Sequence, residues 1–126
     1  MGEETTGRLT AIDHVQLAMP RGAEDDATAF YEGLLGLTRV AKPASLAVRG
    51  GCWFHAEGVV VHLGVEDGFA PAKKAHPAFL VDGLDDLVAR LEAGGFEVVW
   101  DHELDSVRRC YVADCFGNRI ELIDAS

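Results

Sequence analysis

The pattern of elements in this chain occurs twice, and that constrains its fold more than any single motif. In the first half, residues 9–19 alternate as a strand, with Ile12, His14, Gln16 and Ala18 on one side and Asp13, Val15, Leu17 and Met19 on the other, until Pro20 stops it. Residues 23–35 then carry Ala27, Phe30, Tyr31, Leu34 and Leu35 at helical spacing. Glu24, Asp25 and Asp26 sit in the first turn, where the helix dipole favours carboxylates, and Gly36 stops the helix. Three strand-like runs follow at about 37–48, 52–55 and 59–65. A loop at 66–75 leads into a second round: a strand at 76–81, a helix at 84–93 with Leu84, Leu87, Val88 and Leu91 on one face, and strands at 96–100, 109–113 and 120–123. The order is βαβββ twice, with a period of about 60 residues. Neither half can bury its helix face and its sheet face alone, so the two are expected to share one core. The expected class is α+β, in one domain spanning 1–126, with module one at about 9–66 and module two at about 75–124.

The charge narrows the partners. Lys plus Arg number 11 against 21 Asp plus Glu, a net charge of −10 over 126 residues. Such a chain repels phosphate backbones and anionic membrane surfaces and attracts cations, so no nucleic acid or membrane partner is expected. No apolar run approaches the roughly 18 residues of a spanning helix, and the start, Met1-Gly2-Glu3-Glu4, lacks the basic and apolar regions of a signal peptide. Cys52, Cys110 and Cys115 form no CxxC pair; an odd count without an export signal fits a reducing cytoplasm and thiols used as small packing residues.

The repeat gives meaning to the histidines. His14 lies on the first strand of module one, and His76 opens the first strand of module two 62 residues later. His62 lies on the last strand of module one, and Glu121 on the last strand of module two 59 residues later. Singly, each reads as an ordinary strand residue, and Glu121 as half of a cross-strand ion pair. Together, around a pseudo-two-fold axis, they make a set of imidazole and carboxylate donors suited to one divalent metal ion: Fe, Mn, Ni, Co or Zn. Nucleotide-binding glycine loops, a GxSxG elbow and an HExxH helix are all absent from the sequence.

Four runs resemble the vicinal oxygen chelate superfamily, the glyoxalase, bleomycin-resistance and extradiol-dioxygenase group. They are Ile12-Asp13-His14-Val15-Gln16-Leu17, Ala29-Phe30-Tyr31-Glu32-Gly33-Leu34-Leu35-Gly36-Leu37, Ala75-His76-Pro77-Ala78-Phe79, and the DxxGNxIEL ending from Asp114 to Ile123. The likeness runs from residue 10 onward. Cys115 stands where such endings often carry proline, and Pro77 removes an N–H beside His76, which suits a strand start.

The resemblance implies two βαβββ modules forming a cupped, mostly antiparallel sheet with helices outside. It implies metal ligands from the first and last strands of each module: His14, His76 and Glu121, with His62 as a fourth ligand or as the catalytic base beside Glu121. Trp53, His55, Trp100, His102, Arg109 and Tyr111 are candidates for the pocket, although Trp53 and Trp100 also read as core, and His102 and Arg108 as solvated loop residues. Of these, Trp53, His55, Arg109 and Tyr111 are the expected substrate contacts; an arginine near a metal can pair with a substrate carboxylate or phosphonate. The implied function is a metal-dependent enzyme of the lyase, isomerase, transferase or dioxygenase type, acting on a small oxygen-rich molecule chelated to the metal. A metal-free binding protein of the bleomycin-resistance type, sequestering a cationic small molecule, is the alternative. A homodimer is also implied, with each site within one chain or shared between two.

Overall fold

A computed structural model describes residues 6–125. Of the N-terminal stretch expected to be loose, residues 1–5 lie outside the described residues. The chain forms two four-stranded sheets. The first holds β1 (Val15–Met19), β2 (Thr38–Val40), β3 (Cys52–Ala56) and β4 (Val59–Val65) in the order β1-β4-β3-β2. The second holds β5 (Ala78–Val81), β6 (Val98–Asp101), β7 (Arg109–Ala113) and β8 (Arg119–Asp124) in the order β5-β8-β7-β6. In each sheet the first strand runs parallel to the last and the other pairings are antiparallel. This is the βαβββ duplication, and the registers agree: Gln16 sits opposite His62, and Ala78 opposite Glu121.

Helix α1 (Glu24–Thr28) passes into a π-helical turn at Ala29–Leu34, where Leu35 N–H donates to the Phe30 carbonyl five residues back. The wider turn lets Phe30 and Tyr31, neighbours in sequence, both be buried. Helix α3 (Leu84–Ala93) has the predicted bounds and buries the predicted face, Leu84, Leu87, Val88 and Leu91, each worth about 1.5–3 kcal/mol when taken from water. One apolar cluster draws on both halves: Met19, Phe30 and Phe54 from module one, with Leu91, Ile120 and Leu122 from module two. Phe30 meets Phe96 edge-on at 4.9 Å. A polar clamp crosses the same boundary. Tyr31 Oη donates to Asp114 Oδ2 at 2.6 Å, Asn118 Nδ2 donates to the Ala18 carbonyl at 2.8 Å, and Ala72 N–H donates to Asn118 Oδ1 at 3.1 Å. Among the described residues no helix is long and apolar enough to cross a membrane.

Three strand expectations change. Pairing in β1 begins only at Val15, because β4 starts at Val59 and leaves residues 9–12 no backbone beside them; Leu9 and Ile12 are exposed. The run at 37–48 is not one strand: β2 ends at Val40, and Pro43, which has no N–H to give a ladder, precedes a short helix α2 (Ala44–Ala47). In module two, His76 and Pro77 stand just before β5 rather than in it, with the Pro77 carbonyl accepting from Glu121 N–H.

Candidate metal centre

Every candidate ligand faces away from the helices. Along β4, Val61 and Leu63 enter the core, so His62 points to the opposite, cupped face; along β8, Ile120 and Leu122 do the same and turn Glu121 outward. Residues directly opposite in a ladder share a face, which adds Trp53 beside His62 and Tyr111 beside Glu121. Trp100, opposite the buried Cys110, lies on the core side, with the Arg108 guanidinium 4.5 Å over its ring. Arg108 is not merely solvated: it pairs with Asp85 at 2.6 Å and Asp124 at 3.5 Å.

In module one the side chains form a ladder of rings. His62 stacks on Trp53 at 4.0 Å and 4° between planes, and on His14 at 4.3 Å; His55 follows at 6.0 Å. Burial, and then the neighbouring His14 and His55, push the His62 imidazole below its ordinary pKa. It is therefore held neutral, with a lone pair to offer. His14 Nδ1 lies 2.8 Å from Asp13 Oδ2, which leaves Nε2 outward.

In module two the contacts are charged. His76 Nδ1 lies 2.8 Å from the Lys74 carbonyl, and Nε2 lies 2.9 Å from Glu121 Oε1. Arg109 Nη1 donates to Glu121 Oε2 and Nη2 to Asp101 Oδ2, both at 3.2 Å. Burial raises the Glu121 pKa, but hydrogen bonds from His76 and Arg109 outweigh it and hold the carboxyl below the usual range, so it is ionised. Tyr111 meets His76 edge-on at 5.4 Å and carries the Arg119 guanidinium 4.0 Å over its ring. An open crevice of about 550 Å³ lies between β1 and β5, lined by Gln16, Ala18, Ala72, His76 and Ala78 among others. A smaller apolar crevice of about 220 Å³, near Leu35, Leu37 and Phe79, contains none of the candidates.

The donor chemistry fits a divalent ion. His14 and His76 each have Nδ1 beside an oxygen acceptor, the outer contact that orients metal-binding imidazoles toward binding through Nε2; for His76 that atom here meets Glu121 Oε1, so an ion would have to replace this hydrogen bond. Yet among the described residues of one chain no group of three or more His, Cys, Asp or Glu side chains is arranged to hold a metal ion. The four-residue set appears in one chain as two pairs, His14 with His62 and His76 with Glu121.

The family model for the Glyoxalase/Bleomycin resistance protein/Dioxygenase superfamily matches residues 11–122. The chain belongs to this superfamily. A solved glyoxalase family protein from Bacillus anthracis is 45% identical and superposes with a TM-score of 0.90, over 97% of this chain and 100% of that one. Two more distant structures share the fold. A variant of the fosfomycin resistance protein FosX from Listeria monocytogenes, complexed with Mn(II) and a dihydroxypropylphosphonic acid, gives a TM-score of 0.78 at 17% identity, over 94% of this chain and 95% of that one. Lactoylglutathione lyase from Agrobacterium tumefaciens gives 0.67 at 22% identity, over 94% and 96%. No curated protein sequence matches significantly. The repeat singles out His14, His62, His76 and Glu121 as candidates but not Asp13 and Asp101, which contact His14 and Arg109. The position of Asp13 next to His14 carries no periodic signal; Asp101 could have been found by pairing the 96–101 and 109–113 runs as a hairpin.

Proposed function

We propose that this protein is a metal-dependent vicinal-oxygen-chelate enzyme whose site forms between two copies of the chain, module one of one copy facing module two of the other. One observation carries the reading: two donor pairs, each joining a histidine just ahead of its module's first strand to a residue on the last strand, at equivalent register, with neither pair a site by itself. His14, His76 and Glu121 hold the ion. A divalent ion bound there would supply Lewis-acid polarisation of two adjacent oxygens of a small oxygen-rich substrate.

The chain's own residues do the rest. His62, neutral and flattened against Trp53, takes a substrate proton at neutral pH. Trp53 and His55 wall one side of the substrate and Tyr111 the other. Arg109 is already paired with two carboxylates, so the anion-pairing role expected of it from the sequence is not supported by its contacts.

Elemental mass spectrometry on the untagged protein tests this. About one Fe, Mn, Ni, Co or Zn per chain is expected, and its loss in His76→Ala and Glu121→Gln. Absence of bound metal, with no thermal shift on adding any of these ions, overturns the reading and turns attention to cationic ligands for the acidic chain.

A further inference from the structure

Arg109 has no place yet in the chemistry, although its setting is unusually specific. Its side chain is 18% exposed and lies between Glu121, 8% exposed, and Asp101, 20% exposed. The β6–β7 ladder puts Asp101 directly opposite Arg109, so the anchor is built into the register. The two oxygens of Glu121 are divided: Oε2 receives Arg109 Nη1, and Oε1 faces His76 Nε2. Arg109 Nε is buried without a hydrogen-bond partner among the described residues. A buried donor left unpaired costs stability, so stability alone does not explain this placement.

We propose that Arg109, anchored by Asp101, is a positioning residue that occupies Glu121 Oε2 and so reserves Oε1 as the single oxygen offered to the metal. The inference rests on the metal-centre reading above. A glutamate carboxylate turns easily about its last torsion and can present either oxygen or both to a cation. A guanidinium fork gripped at its far side by a second carboxylate removes that freedom, and a lysine, a point charge on a flexible stem, does not replace it. Module one supports the same logic by contrast. There the positions equivalent by continuing the ladder register are Gly51 and Lys42, and Lys42 Nζ donates to the Gly50 carbonyl instead. An imidazole has no second oxygen to mask; it needs its plane fixed, and for His62 the Trp53 ring does that.

The test is Mn(II) binding to the full chain, followed by electron paramagnetic resonance. The free-ion signal reports affinity, and the bound spectrum reports coordination geometry. Removing a positive charge beside a dication site would tighten binding by Coulomb's law alone. Loss of positioning acts in the opposite direction, because outer-contact substitutions weaken metal binding by about 10- to 100-fold. Arg109→Gln and Arg109→Lys are each expected to bind Mn(II) at least about tenfold more weakly with an altered bound spectrum, while melting remains cooperative. If Arg109→Gln binds Mn(II) as tightly as the parent or more tightly, or Arg109→Lys restores affinity and spectrum, the positioning role is overturned while the metal centre stands. If the parent itself binds no Mn(II), or binds it independently of His76 and Glu121, the metal centre falls and this inference with it.

Discussion

His62 shows how a residue's neighbours decide its chemistry. Its folded pKa lies below the unfolded value of about 6.5, through burial first and then His14 and His55. The unfolded chain therefore takes up the proton more readily than the folded one. The stability tied to His62 is fully present above about pH 6.5 and is lost as pH falls through the folded value. Urea unfolding at pH 7.5 and pH 5 is expected to show a smaller loss in His62→Gln than in the parent; equal losses would contradict this. At this scale the sequence was legible where residues repeat and illegible where rotamers decide. His14, His62, His76 and Glu121 emerged from spacing alone. That Arg109 would turn toward two carboxylates rather than toward open solvent depends on side-chain torsions that no periodicity encodes.

Among the elements, the long periodic ones were the easiest to read. Helix α3 and strands β4 and β7 match their predicted bounds, because their alternation or helical stripe fills the core. Strand 37–48 failed because alternation states only that a strand could exist, while a ladder also needs a neighbour and N–H donors. Two element junctions give measurable predictions. Gly51, at the entry to β3, has φ +84°, and a Cβ there would lie 2.2 Å from the Leu63 carbonyl oxygen. Gly51→Ala is therefore expected to cost at least about 1–3 kcal/mol in chemical unfolding. Asn118, 1% exposed, ties β1 and the 66–75 loop to the β7–β8 turn. Asn118→Ala leaves the Ala18 carbonyl, the Ala72 N–H and part of Asp114 without their partner, and is expected to cost about 2–3 kcal/mol by the same measurement.

For the whole molecule, the shared core was foreseeable from the inability of either half to bury its own faces, whereas the separation of the ligands into two pairs was not. Spacing specifies equivalence between modules but not which module meets which. A mixing experiment reads that directly. Chains carrying His14→Ala with His62→Ala, and chains carrying His76→Ala with Glu121→Gln, are each expected to bind no metal. Refolded together, they are expected to recover metal in proportion to mixed dimers, each with one intact site; no recovery would place each site within a single chain.

The drift between the modules has a last consequence, for the handedness of what happens at such a site. Had the duplication kept both halves alike, every pose of a bound molecule would have a twin of equal energy, rotated by half a turn. In the proposed site one wall is the ring stack of His14, His62 and Trp53, and the other holds the Glu121–Arg109 ion pair beside His76. In such a site the twin poses would no longer be equivalent, and a molecule lying between the walls would have a head and a tail.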